Sequence, residues 1–179
     1  MRDGRLARGE ARRAALVAAT LAVVERSGVT GVSHRSVALE AGVPASSVVY
    51  YFPSVDALLT AALTTSADEV RQAVRALPPT AAAIAGFLVS ALTEHRSRTL
   101  AGYELYLQAA RNPTLRPAAR QWLTALLAAF GDTTRVRALL AGVDGLLLQG
   151  LIADTPPRYA DVLQVVSLLM PEHPEKSSQ

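Results

Sequence analysis

The side chains able to do chemistry in this chain are mostly basic or hydroxylic, and their spacing suits recognition of an anion better than catalysis. His34, His95 and His173 stand in three distant segments with no shared metal-ligand spacing, and the 179 residues include no cysteine to serve as thiolate nucleophile or zinc ligand. There is no Gly-rich phosphate loop, no Gly-x-Ser-x-Gly elbow, no His-Glu-x-x-His and no Glu-x-x-His. The expectation is therefore a protein that is not an enzyme and holds no cofactor and no metal. Arginine is the exception to this silence. Residues 1–52 hold seven Arg against four acids, while 53–179 balance eleven basic with eleven acidic residues, so the whole net charge of +3 lies in the first third. Arg2, Arg5, Arg8, Arg12 and Arg13 crowd the N-terminus, as in an arm or first helix that meets an anionic polymer. A solvated terminus would carry the same charges.

The second informative stretch is residues 32–52, where two short helical patterns flank Gly42. Ala38 is small enough for two helices to cross, and Val37, Val43, Val48 and Phe52 offer apolar locks for the second one, which is what a helix-turn-helix requires. In that geometry the start of the second helix meets base edges in the major groove, which nominates Ala45, Ser46 and Ser47. Ser33, His34 and Arg35 open the preceding helix, where phosphate is approached, and Tyr50 and Tyr51 follow at the far end. Of these aromatic residues, Phe52 is expected in the core and Tyr50 is the better contact than Tyr51. On a surface without DNA, Arg35 would instead pair with Glu40 or Asp56.

The elements that must position these residues are all helical. Ala and Leu dominate, and no stretch alternates strictly for long. A first helix is expected over 9–26, with Gly28 as its stop, and a second from an N-cap at Ser33 to residue 41. Pro44 then opens a third at its first helical position, and Ser54 caps a long fourth helix to residue 76 with Asp56 in its first turn. Further helices are expected at 80–94, 98–111, 114–130, 133–154 and 159–170, about nine in all, with a disordered tail over 171–179. No apolar run reaches the roughly 20 residues of a spanning helix, and no signal peptide opens the chain, so a cytoplasmic protein without membrane contact is expected.

With its Arg-rich first helix, the stretch GVTGVSHRSVALEAGVPASSVVYYFPSVDALL and an all-helical remainder, the chain resembles the tetracycline-repressor (TetR) family of bacterial transcription regulators. The resemblance implies an all-α fold with a helix-turn-helix DNA-binding domain over 1–53 and a helical effector-binding and dimerisation domain over 54–170. It also implies repression that a small molecule releases. Pro44 stands where many members carry a polar cap, and Val49 and Val55 stand where a Tyr and a Lys commonly touch phosphate. Double-stranded DNA remains the expected partner, with a different phosphate footprint.

Residues 133–154 and 159–170 are apolar on nearly every side, so the last two helices are expected to form the interface of a homodimer, with Gly142, Gly145 and Gly150 allowing close approach. The family resemblance places the pocket on the helices from 80 to 154. There Phe87, Tyr103, Glu104, Tyr106, Trp122 and Gln149 are the candidate ligand contacts, with His95, Gln108 and Phe130 beside them. So few charges suggest an apolar or weakly cationic effector of unknown identity, with Glu104 as its counter-charge. The competing possibility is a helical architectural protein that binds DNA without an effector and without sequence preference.

Overall fold

A computed structural model describes residues 3–170. Arg2 of the arginine cluster and the expected tail over 171–179 lie outside these residues. Among them are nine α-helices, one 3-10 turn and no strand. The order is α1 (Asp3–Ser27), the 3-10 turn Val29–Gly31, α2 (His34–Glu40), α3 (Ala45–Tyr51), α4 (Val55–Ala76), α5 (Ala81–Leu92), α6 (Arg96–Arg111), α7 (Arg116–Phe130), α8 (Thr134–Ile152) and α9 (Tyr159–Leu169). The all-α expectation holds. No single described helix is long and apolar enough to cross a membrane.

The contacts divide the chain into two compact units, one running to Arg71 and including Ser97–Leu123, the other comprising Gln72–Arg96 and the chain from Thr124. In the first, Leu16, Ala19, Val23 and Val24 of α1 bury one helical stripe against Val37, Val48, Phe52, Leu58, Leu63 and Leu105. Helix α1 starts at Asp3, six residues before the expected position. Gly9 has open space around it, so it costs the helix only its weak propensity and does not stop it. At the other end Gly28 ends α1 at φ +70° and ψ 176°, a positive-φ conformation that suits glycine but is extended and not the left-handed helical stop expected.

Ser33 caps α2 in a reciprocal box. Its hydroxyl accepts from the Ser36 N–H while the Ser36 hydroxyl accepts from the Ser33 N–H. Gly42 turns the chain at φ +63°, and the Val43 N–H then donates to the Ala38 carbonyl at 3.0 Å. Pro44 is the N-cap of α3 and not its first helical residue, because ψ 144° keeps it extended before the helix begins. The Ser54 hydroxyl accepts from the Ala57 N–H at 3.1 Å and starts α4, which ends at Ala76 as expected.

The second unit packs α5, α8 and α9 around Ala85, Leu88, Leu92, Val136, Leu139, Leu147, Leu151, Val162 and Val166. Two of the three glycines expected to allow close approach do so within the subunit. A Cβ on Gly142 would lie 2.3 Å from Leu169 Cδ1, and one on Gly150 would lie 2.4 Å from Leu92 Cδ1. Only the space beside Gly145 is open.

Candidate DNA-binding face and effector cluster

Burial on the α2–α3 pair separates what holds the helices from what they present. Val37, Ala38, Val48 and Phe52 are buried, whereas Ser33, Arg35, Ala45, Ser46, Val49 and Tyr50 are exposed and His34, Ser47 and Tyr51 are half-buried. Tyr50, 82% exposed, projects fully, and Tyr51 stands edge-on to it with ring centroids 5.1 Å apart.

His34 has structural work. Its Nε2–H donates to the Phe52 carbonyl at 2.8 Å, so the start of α2 is fastened to the end of α3. Ser33 likewise commits its hydroxyl to the cap of α2. Arg35 has no partner among the described residues, because both carboxylates that could have neutralised it are engaged elsewhere. Glu40 pairs with Arg26 at 2.7 Å, and Asp56 accepts from Asn112 Nδ2 at 2.8 Å. Within the arginine cluster, Arg8 and Arg12 are exposed one turn apart, but Arg13 stacks its guanidinium 4.8 Å from the Phe52 ring centroid.

The candidate effector residues fall in both units. Tyr103, Glu104, Tyr106 and Trp122 belong to the first, Phe87 and Gln149 to the second. Tyr106 and Trp122 meet edge-to-face at 5.6 Å, with the Trp122 ring next to Gly102 of α6. Phe87 is half-buried on α5 and Gln149 exposed on α8. Glu104, proposed as a counter-charge for ligand, accepts instead from the Val29 N–H at 2.9 Å.

Several polar ties made by α6 and by Asn112 just beyond it have no sequence signal, since each joins residues far apart in the chain. Besides Glu104 to Val29 and Asn112 to Asp56, the Arg98 guanidinium bridges Glu25 of α1 (3.2 Å) and Glu69 of α4. The hydrogen bond that Arg98 donates to Glu69, more than the surrounding charges, raises the Arg98 pKa above its ordinary value. Arg98 lines a groove of about 550 Å³ together with Val17, Leu21, Glu10, Glu25 and Glu69. None of the candidate effector residues lines it.

Comparison with known proteins agrees with this layout. A family model described as "Tetracyclin repressor-like, C-terminal domain" matches residues 79–172. The multidrug binding protein EbrR complexed with ethidium is 39% identical, covering 90% of this chain and 99% of that one, with a TM-score of 0.78. EbrR complexed with imidazole is 38% identical over 91% and 92% of the two chains, with a TM-score of 0.77. A member of the TetR family, SCO1917 from Streptomyces coelicolor A3, is 37% identical over 90% and 99%, with a TM-score of 0.80. The chain belongs to the TetR family. No curated protein matches it.

This TetR-family chain is thus a transcriptional regulator, in a family of DNA-binding proteins and not of enzymes. Within the family pattern its departures have visible local consequences. Pro44 caps α3 through backbone conformation alone, Val49 is 47% exposed where a phosphate-contacting Tyr is common, and Val55 is half-buried at the start of α4.

Proposed function

We propose that this TetR-family regulator acts in the cytoplasm as a homodimeric repressor, binds a pseudo-palindromic operator and is released by an apolar or weakly cationic aromatic molecule. The observation that carries the DNA part is the unpaired, exposed Arg35 beside the exposed Ala45, Ser46 and Tyr50. A cation left free while neighbouring carboxylates are occupied is available to phosphate or to a base edge. Ser33, His34, Ser47 and Tyr51 frame this surface, with His34 acting by fixing α2 to α3. The exposed Arg8 and Arg12 add backbone charge where Val49 and Val55 supply none.

Dimerisation is supported by the apolar side chains that the last two helices leave uncovered. Ile152 is 85% and Leu168 75% exposed, with Leu148 and Val165 also partly uncovered. On α8, Leu148 and Ile152 follow the open Gly145 at three- and four-residue steps and so share its side. A two-fold pair through this face would carry two α3 helices to half-sites about one DNA turn apart or a multiple of it.

The effector class rests on the half-buried aromatic pair Tyr106 and Trp122, rings of the kind a delocalised cation is attracted to, and on the relative EbrR. That protein is described in complexes with imidazole, ethidium, proflavin and malachite green. Tyr103 completes the candidate set within the first unit, and Glu104 acts through the backbone of the turn.

The test is selection of bound duplexes from a random pool at about physiological salt, with Arg35→Ala as control. Specific binding should exceed non-specific binding by at least about 10³-fold, and Arg35→Ala should cost about 1–3 kcal/mol at the selected site. Binding without enrichment, equally salt-sensitive for every sequence, would replace this proposal with an architectural role.

A further inference from the structure

The 3-10 turn Val29–Gly31 leads directly into α2, and its first N–H groups have no partner within the turn. Gly28 occupies the N-cap position and makes no side-chain cap bond, so nothing local can satisfy the Val29 N–H. The acceptor comes from 75 residues further along the chain, where Glu104 Oε2 of α6 receives that N–H at 2.9 Å. A Cβ on Gly28 would stand 3.0 Å from the same oxygen, so the glycine that ends α1 also leaves room for the carboxylate.

Among the polar ties that α6 and the adjoining Asn112 make, Arg98 and Asn112 reach side chains on α1 and α4, and Arg96 reaches the Leu151 carbonyl of α8. Glu104 alone among them reaches the main chain of the segment that opens the helix-turn-helix. Its position on α6 is equally specific. Leu105, the next residue, is fully buried, and Tyr106, two residues on, packs against Trp122. Two residues correspond to about 3 Å of helix rise, so α6 moves Glu104 and Tyr106 as one piece. A hydrogen bond of this length is largely lost once stretched by about half an ångström or more.

We propose that Glu104 is the positioning residue that couples effector to operator: it caps the turn before α2 from α6, and a shift of α6 at Tyr106 and Trp122 withdraws the cap. This rests on the effector and operator assignments proposed above. The ligand then needs no contact with α2 or α3, only a different affinity for the capped and uncapped forms.

The experiment compares wild type, Glu104→Gln and Glu104→Ala on a duplex selected with wild type. The effector probe is tetraphenylphosphonium, an aromatic cation too bulky to intercalate, and its binding is followed by the fluorescence of Trp122, the single tryptophan. In wild type the probe should weaken operator binding by a factor within the usual 5- to 150-fold range of coupled sites. Glu104→Ala should bind the probe within about twofold of wild type while that factor falls to about one. Glu104→Gln keeps an oxygen acceptor and should retain part of it, and as a near-isostere it answers the question even where the alanine variant folds poorly.

Unchanged coupling in folded Glu104→Ala overturns the proposal. A wild type that neither selects a duplex nor quenches with the probe overturns the proposed function instead, and amide exchange then judges the cap alone. Val29 and the amides at the start of α2 should exchange faster in Glu104→Ala than in wild type, and equal exchange overturns the assignment of the cap.

Discussion

Replacing Ile152 with Ser should break the proposed dimer while leaving the single chain folded. Ile152 is 85% exposed, so little of it is holding its own subunit together. Full burial of such a side chain contributes about 1.5–3 kcal/mol, and in a two-fold interface each substitution acts twice. Scaled by the exposed fraction, the loss is about 2–5 kcal/mol, or roughly thirty- to several-thousand-fold in the dimer Kd. Leu168→Ser, at 75% exposure, should lose nearly as much. Sedimentation equilibrium across a dilution series measures the Kd, and far-UV circular dichroism at the same concentrations checks the helices. Helical content should match wild type under conditions where the variant is monomeric, and affinity for the selected duplex should fall with the loss of dimer. A Kd altered by less than about threefold in both variants would refute the assignment of this face to the partner subunit.

Three further outcomes follow from local geometry. Gly102→Ala places a Cβ 3.4 Å from Ser66 Oγ and 3.7 Å from Trp122, both tolerable, so the relief of a mid-helix glycine should leave thermal stability equal or raise it by up to about 1 kcal/mol. Gly150→Ala must displace Leu92 and should lose about 1–3 kcal/mol, and a ranking of the two melting temperatures in the opposite order would contradict the packing described. Arg8→Gln with Arg12→Gln should weaken selected and random duplexes alike and reduce the salt slope of binding by about one per lost phosphate contact, while an unchanged slope would remove both residues from the interface. At the start of α9 the Arg158 guanidinium hydrogen-bonds Asp161 and holds its carboxyl below the usual aspartate range. That pairing supports the fold above the ordinary aspartate pKa and is lost as pH falls through the lowered one. The carboxyl carbon of Asp161, titrated by NMR at low salt, should therefore move upward in Arg158→Gln, and the same midpoint in both proteins would dismiss the pair.

Much of the architecture was legible because its signals are local. Ser33, Gly42 and Ser54 punctuate the chain through their own side chains or backbone preferences, and the helix boundaries around them follow. Helix α1 begins ahead of Gly9 because that residue weakens a helix without ending it when nothing crowds it. Pro44 was placed one position too far into α3, since fixed φ suits both the cap and the first helical residue and only ψ distinguishes them. The candidate recognition residues Arg35, Ala45, Ser46 and Tyr50 could be nominated from spacing, since the apolar locks between them fix which side points outward. What was not legible is long-range. No pattern links Glu104 to Val29, Arg13 to the Phe52 ring or Gly150 to Leu92, because each pairing is decided by how distant helices pack.

The fastening of Phe52 bears on how this regulator could acquire a new target. Its ring is buried beneath Arg13 and its carbonyl holds His34, so the far end of α3 is secured from behind. Ala45, Ser46, Val49 and Tyr50 take no part in that anchorage. Scaffold and vocabulary are thus written in different residues. A library randomised at those four positions alone should remain folded while its members spread over many operators, so the lineage can change its promoter with few substitutions and without first losing its structure.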